Sequence, residues 1–431
     1  MRPREGHPAA GQHGMGFMLF KSLIKYSFRK GAARVIDHKG VEHIFGDGSP
    51  PRCTLRLTKA SLQYTLAVNP GLSVPEAYMD GDLVIEDGTL YDFIELAAQN
   101  YSNVEAFPLL NAMQMIGIGS KKLKQYNPIG VAQKNVAHHY DLSDELYGLF
   151  LDRDRQYSCA YYAHPDDDLE TAQNNKKRHL ASKLLLDGDG LNILDIGSGW
   201  GGLGMYLAGV SGGNITGVTL SAEQHKVSNE RARAAGLQDR VKFHLQDYRD
   251  LPQKFDRIVS VGMFEHVGKK NYTEFFTKLR DLLTDDGVAV IHSIGRLDSP
   301  SAINPFIRKY IFPGADVPAL SEVTPVVEQS GLLCTDIEIL RLHYAETLRH
   351  WREAFEARRD KVAAIYDERF CRMWDLYLVI CEMGFRYENL MVFQIQLSKS
   401  LDAVPLTRDY MFDWERAQAE KEKAGARDKA V

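Results

Sequence analysis

The sequence predicts an α/β fold: a doubly wound, mostly parallel sheet of seven strands, preceded by a smaller α+β unit. Three observations carry this. From residue 191 onward, short apolar runs alternate with helix-like stretches, the pattern of a parallel sheet covered by helices. The first of these runs opens into a glycine turn, Ile193-Leu-Asp-Ile-Gly-Ser-Gly-Trp-Gly-Gly202, as a nucleotide-binding strand–turn–helix does. The last two runs, 333–340 and 390–397, make a late strand pair outside the alternation.

The bulk properties narrow the classes. A chain of 431 residues is expected to hold two domains. With 44% hydrophobic and 25% charged residues it has material for an ordinary globular core. A net charge of −5 argues against a nucleic-acid partner for the chain as a whole. The five cysteines are scattered with no C-x-x-C pair, so no disulfide framework and a reducing compartment are expected. No apolar run is long enough to cross a bilayer, and residues 1–14 are too polar for a signal peptide. The protein is therefore expected in the cytoplasm, with the option of touching the inner face of the membrane. Whether translation starts at Met1 or Met15 is open.

Taken in order, residues 1–34 read as a polar leader followed by a basic amphipathic helix. Over Gly16 to Arg34, Lys21, Ser22, Lys25 and Arg29 fall on one side, with Phe17, Leu19, Phe20, Leu23, Ile24 and Phe28 across the rest. Such a helix either lies on an anionic membrane surface or packs on its own domain with a basic edge in solvent. Residues 35–120 form the small domain, with a strand near 53–57, turn signals at Asp80-Gly81 and Asp87-Gly88, and a helix over 90–98. Residues 121–136 are a polar, basic linker, 137–405 the large domain and 406–431 a charged tail. In the large domain the spacing predicts strands at 192–196, 214–220, 241–245, 255–261, 288–294, 333–340 and 390–397. Two aromatic-rich helical insertions, 298–320 and 345–386, are placed as a lid over the strand ends.

Ligands of such sheets bind at the carboxyl ends of the strands. Gly197, Gly199 and Gly201 allow the backbone close to a ligand. Gly197, Gly199 and Gly202 also satisfy the G-x-G-x-x-G spacing of hydride-transfer enzymes, and a purely structural turn is a further alternative. Asp195 before the first glycine, and the lack of an acid near position 217, tilt the reading to S-adenosylmethionine. Thr219 or Gln224 after the second strand, and Gln246 and Asp247 after the third, are placed for polar contacts to such a cofactor. Glu265 after the fourth strand and His292 after the fifth are expected at the strand ends facing the cofactor, where they can bind a small polar species or position a base. His266 is expected to point elsewhere. His138 and His139 are expected to orient the loop carrying Tyr140, and no cysteine–histidine cluster has zinc spacing.

These motifs, with Tyr157-Ser-Cys-Ala-Tyr, Gly217-Val-Thr-Leu-Ser, Asp256-Arg-Ile-Val-Ser-Val-Gly-Met-Phe-Glu-His-Val-Gly, His343-Tyr-Ala-Glu-Thr-Leu and Cys381…Gly384-Phe-Arg386 in order, resemble the cyclopropane fatty acid synthase family, which includes the mycolic acid cyclopropane synthases. The likeness runs from about His138 to Ser400. It implies a seven-stranded Rossmann-like class I methyltransferase domain with helical lid insertions, behind a small N-terminal α+β lipid-binding domain. It implies methyl transfer from S-adenosylmethionine to the cis double bond of an unsaturated membrane phospholipid, with ring closure after a bound bicarbonate ion removes a proton. By the same resemblance the ion is held by the backbone at Cys159, the carboxyl of Glu265, the side chain of His292, the backbone of Ile294 and the hydroxyl of Tyr344, and Cys381 counts among the active-site residues. The implied cofactor contacts are Tyr157, Ser158, Gly197, Gly199, Thr219, Gln224, Gln246 and Asp247, and a homodimer is implied. Cys159 and Cys381 have a plainer reading as small buried hydrophobes. Phe264, Tyr161, Tyr162, Tyr310, Tyr344 and Phe385 are candidates to face a developing carbocation. Two alternatives stay open: a methyltransferase that leaves a branched or methylene-bearing chain or uses another small acceptor, and a lipid-binding protein without activity.

Overall fold

A computed structural model describes residues 20–105, 143–188 and 190–428. The polar leader, the linker at 121–136 and His138, His139 and Tyr140 lie outside the described residues. The chain divides into two compact units. The first contains the N-terminal residues up to Lys121 together with Asn304–Ile311 and Phe355–Glu388, and the second contains the rest. Parts of both sequence insertions thus pack with the N-terminal segment.

In the first unit four short strands, β1 (Ala32–Ile36), β2 (Glu42–Gly46), β3 (Arg52–Leu57) and β4 (Leu83–Asp87), form a sheet in the order β2-β1-β3-β4. Helix Leu90–Gln99 starts at a reciprocal cap in which Thr89 and Asp92 satisfy each other's backbone N–H. The N-terminal helix occupies residues 20–27 of the described chain and does not reach Arg34. The helix ends before Gly31, whose φ of +82° is not helical and where the Leu96 side chain occupies the space a Cβ would need. Asn100 Oδ1 accepts the N–H groups of Arg29 and Lys30 at 3.0 and 3.1 Å, anchoring the turn into β1. Phe20, Leu23 and Ile24 are buried within this unit, while Lys21, Lys25, Arg29 and Lys30 are exposed.

The second unit is built on seven strands: β5 (Asn192–Ile196), β6 (Asn214–Thr219), β7 (Val241–Leu245), β8 (Phe255–Val261), β9 (Leu283–Arg296), β10 (Leu333–Leu340) and β11 (Leu390–Ser398). Their order is β10-β11-β9-β8-β5-β6-β7, all parallel except β11, which runs antiparallel to both neighbours. β9 begins five residues before the run predicted at 288–294. The turn-like Thr284-Asp-Asp-Gly287 is absorbed as an irregularity, with Phe255 paired to Leu283 but Arg257 paired to Val288. Apolar side chains cover both faces of the sheet, one cluster holding Phe275, Phe276 and Ile258 and the other Leu180, Leu207 and Phe243. Among the described residues no helix is long and apolar enough to cross a membrane.

The chain builds β5, β6 and β7 toward one edge, then returns to lay β8 on the other side of β5. That reversal opens a crevice at the carboxyl ends of β5 and β8. Gly197, Gly199 and Gly201 line the turn after β5, all at positive φ. Beside it, Gly217 leaves room for the Phe243 ring, which an added Cβ would overlap, and for Ser198 Cβ at 2.9 Å. Phe243 is 3% exposed and has no room to withdraw. Gly217→Ala is expected to destabilise the protein by about 1–3 kcal/mol. A thermal melt should show a clear fall in midpoint; an unchanged midpoint would mean that the ring and sheet can part freely.

Candidate active site

A cleft of about 1360 Å³, counted with its open mouth, lies at the switch point of the second unit. Its wall includes Tyr157, Ser158, Gly197, Gly199, Thr219, Gln224, Gln246 and Asp247, so the structure brings all eight anticipated cofactor contacts to one cavity. Thr219 donates its hydroxyl to Gln224 Oε1 at 2.9 Å, which leaves the Gln224 amide N–H groups to face a ligand. Arg249 grips the Asp247 carboxylate through Nε and Nη2 at 2.9 and 2.7 Å, fixing the acid that ends β7's loop.

Asp195, Met263 and His266 also line the cleft. His266 thus corrects the expectation that it points away. It ends the tight turn Phe264–His266, in which successive side chains fan out at about 120°. Phe264 enters the core against Phe275 and Phe276, Glu265 turns toward β9 and His266 meets the cleft. Burial lowers the His266 imidazole to about 4, so it is neutral. Asp195 is buried at the end of β5 with Oδ2 lacking a hydrogen-bond partner. Burial raises its carboxyl to about 7. The D-x-G-x-G pattern was the signal for Asp195; nothing in the sequence singled out Met263.

None of the residues anticipated for the anion lines this cleft. Their placement is as follows. Glu265 Oε1 accepts the Ile294 N–H at 2.6 Å, so that N–H is donated to the glutamate rather than standing free for the ion. The second oxygen, Oε2, is buried without a partner. Burial raises the Glu265 carboxyl to about 7, the N–H groups of Ile294 and Glu265 and the Ser293 hydroxyl pulling the other way. His292 lies two residues before Ile294 on β9 and therefore on the same face. It is held neutral, its pKa lowered well below the usual value by burial and then by the charges of Lys176, Lys183 and His179.

Cys159 sits in the loop next to the cleft-lining Ser158, and two helices hold that loop. From helix Leu169–Ser182, Gln173 Nε2 donates to the carbonyls of Ser158 and Gln156, at 2.9 and 3.2 Å. Lys176 Nζ donates to Gln156 Oε1 and Ser158 Oγ, at 2.6 and 2.9 Å. From helix His343–Glu356, Thr347 Oγ1 accepts the Ala160 N–H and His343 Nδ1 accepts the Tyr162 N–H, both at 3.0 Å. The same helix carries Tyr344, whose ring meets Trp351 edge-on at 5.8 Å, and Trp351 stacks on Tyr157 at 5.1 Å. The Cys159 thiol is fully buried and raised far above its usual pKa, so it is no nucleophile. Cys381 belongs to the first unit, on helix Glu368–Tyr387, with its thiol raised to about 12 by burial.

Several anticipated carbocation faces are already occupied. Phe264 is fully buried against Tyr272, Phe275 and Phe276. Tyr161 stacks on His179 and His343 at 4.0 and 4.8 Å, and Tyr162 on His350 at 5.5 Å. These rings are built into the scaffold. Tyr310 and Phe385 lie in the first unit.

Against known proteins, the profile of the mycolic acid cyclopropane synthetase family matches residues 130–395. The chain belongs to that family. It is 36% identical over 331 residues to the cyclopropane-fatty-acyl-phospholipid synthase of Escherichia coli (strain K12), covering 77% of this chain and 84% of the relative. A probable fatty acid methyltransferase of Pseudomonas putida is 41% identical over 289 residues, 64% of this chain and 73% of that one. Among solved structures, the mycolic acid cyclopropane synthase CmaA1 complexed with SAH and CTAB superposes with a TM-score of 0.59 at 32% identity, over 63% of this chain and 99% of that one. The protein is an S-adenosylmethionine-dependent methyltransferase.

For such a methyltransferase the state of Asp195 has a measurable consequence. A cation bound in the cleft stabilises the ionised carboxylate and expels its proton. The free protein holds that proton below about pH 7, because burial raises the carboxyl to about 7. Affinity for S-adenosylmethionine is therefore expected to climb as pH rises toward about 7 and to level off above it. Calorimetric titration across that range should show the slope, and Asp195→Asn should flatten it. A slope that survives Asp195→Asn unchanged would assign the proton to another group.

Proposed function

We propose that the protein transfers the methyl group of S-adenosylmethionine to the cis double bond of an unsaturated phospholipid acyl chain and closes a cyclopropane ring. The observation that carries the reading is the buried, unpartnered Oε2 of Glu265, whose Oε1 takes the N–H of Ile294, two residues along β9 from neutral His292. The chain's membership of the cyclopropane synthetase family and the names of its relatives support the lipid substrate.

The chemistry fits the residues. The alkene's electron pair attacks the methyl carbon, the carbon–sulfur bond breaks, and a carbocation remains on the chain. One proton must leave the transferred methyl group before its carbon can close the ring. A hydrogen carbonate ion, when bound, supplies the base for that proton. The site has matching partners: Glu265 Oε2 lacks a donor, and the ion offers an O–H. His292 is neutral and has one N–H to give. A carboxyl poised near neutrality accepts or shares a proton at little cost. Around them, Thr347, His343, Gln173 and Lys176 fix the Tyr157–Tyr162 loop, so the reacting groups are positioned before the poor alkene nucleophile arrives. The cleft at the Gly197 turn is the place we assign to the methyl donor, and burial of the surrounding residues keeps water from trapping the cation.

Contact with an anionic membrane surface falls to the exposed Lys21, Lys25, Arg29 and Lys30, since the apolar side of their helix is used inside the first unit. That makes the attachment electrostatic rather than insertional. Replacing Lys21, Lys25 and Arg29 by glutamine is expected to weaken binding to anionic vesicles several-fold and to spare S-adenosylmethionine binding. Equal losses in both would place the basic edge elsewhere in the function.

The decisive product test uses unsaturated phospholipid vesicles and S-adenosylmethionine carrying a trideuterated methyl group. Mass spectrometry is expected to show one added methylene per modified double bond, with one deuteron lost. NMR of the product made with unlabelled cofactor should show the high-field ring protons that an isomeric methylene-bearing chain lacks, and Glu265→Gln should abolish both. Retention of all three deuterons would indicate a methyl-branched product whose proton was lost from the chain itself. No mass gain on lipid would refute the proposal.

A further inference from the structure

His292 and Gln394 are direct cross-strand partners on β9 and β11. Both are buried, at 2% and 1% exposure. Gln394 Nε2 lies 3.1 Å from His292 Nδ1. Which of the two donates depends on which way the amide faces, and Lys183 settles that. Its ammonium donates to Gln394 Oε1 at 2.6 Å, and an ammonium has no lone pair with which to accept. The carbonyl end of the amide therefore faces the lysine and the NH2 end faces the ring. An NH2 can only donate, so His292 Nδ1 accepts and the ring's single proton resides on Nε2.

The orientation is itself buttressed. Lys183 is 1% exposed, at the end of helix Leu169–Ser182. Its charge is met by Glu338 on β10, which also takes the Nε2 side of His179 at 2.7 Å. Two residues along β11 from Gln394, Gln396 Nε2 donates to the Lys183 carbonyl at 2.6 Å and fixes the lysine's backbone. The line Glu338–Lys183–Gln394–His292 thus runs from the sheet edge to β9 with donors and acceptors alternating. The positive charges along it also oppose protonation of the ring.

We infer that Gln394 is a positioning residue: locked by Lys183, it holds His292 in the Nε2-protonated tautomer and so makes the ring a hydrogen-bond donor toward a bound anion. The role toward the anion rests on the reaction proposed above; the tautomer does not. Gln394→Glu inverts the chemistry at the same shape, because a carboxylate still pairs with Lys183 but can only accept from the ring. Gln394→Met keeps the bulk and removes the lock.

The test has two arms. Nitrogen NMR of protein labelled at histidine, with His292 assigned by its loss in His292→Ala, reads the tautomer directly. The wild type is expected to carry its proton on Nε2, Gln394→Glu to place one on Nδ1, and Gln394→Met to show a mixture. A wild-type ring protonated on Nδ1, or a tautomer unmoved in both variants, overturns the inference. The second arm measures turnover against bicarbonate concentration in buffer freed of carbon dioxide. Gln394→Glu is expected to raise the apparent KM for bicarbonate about tenfold or more, the loss of one charge-assisted hydrogen bond, and to leave the KM for S-adenosylmethionine unchanged. A parallel rise in both would indicate a structural role and overturn the positioning claim. A wild type indifferent to bicarbonate would refute the anion reading while the NMR arm still decides the tautomer. If Gln394→Glu fails to fold, the wild-type and Gln394→Met spectra decide alone.

Discussion

The unmet oxygen of Glu265 is the constraint around which the carboxyl ends of β8 and β9 are organised. A buried carboxyl with one satisfied oxygen is unfavourable unless it is protonated or completed by a ligand. The fold holds it there from three directions. The tight turn after β8 delivers the side chain, the Ile294 N–H from β9 binds Oε1, and the Asp316 N–H binds Glu265's own carbonyl at 2.9 Å. Adjacent parallel strands thus fix a group that solvent cannot reach, and its carboxyl is raised to about 7 as a result.

A second layer of buried charge stands behind these strand ends. Helix Leu169–Ser182 buries Gln173, Lys176, Lys177 and His179, where a hydropathy reading expects leucine or valine. Two of its cations are answered by carboxylates from other elements, Lys177 by Asp154 at 2.7 Å and His179 by Glu338 and Glu415, while Lys176 is held by Gln156 Oε1 and Ser158 Oγ. Breaking such a pair leaves an uncompensated buried charge, which is far more costly than the pair is favourable. The arrangement therefore contributes definition of position more than stability. It holds the loop at Ser158, and its cations add to burial in keeping His292 uncharged.

Legibility in the sequence followed the same division. The strands of the large sheet are short apolar runs bounded by turn residues, and β5, β7, β8 and β10 fall on the residues their periodicity indicates. The cofactor cleft was legible too, because glycines and strand-end polar residues mark a switch point by local rules. Where a turn signal lost to pairing, as at Thr284–Gly287, or an amphipathic pattern ran on past the helix end, as before Gly31, the boundaries moved. His266 was misplaced because helical and extended geometries aim neighbouring side chains differently, and a three-residue turn has no periodicity to read. The buried polar helix face, and Gln394 and Gln396 among the apolar residues of β11, carry no local mark. Their meaning lies in partners on other elements, such as Asp154 for Lys177 and Lys183 for Gln394.

The central claim is that Glu265 completes its hydrogen bonding with a small oxyanion. Carbon NMR of labelled bicarbonate, added to protein saturated with S-adenosylhomocysteine, addresses it without turnover. The account requires saturable binding that disappears in Glu265→Gln. Binding that is absent from the wild type, or that persists undiminished in Glu265→Gln, would contradict it.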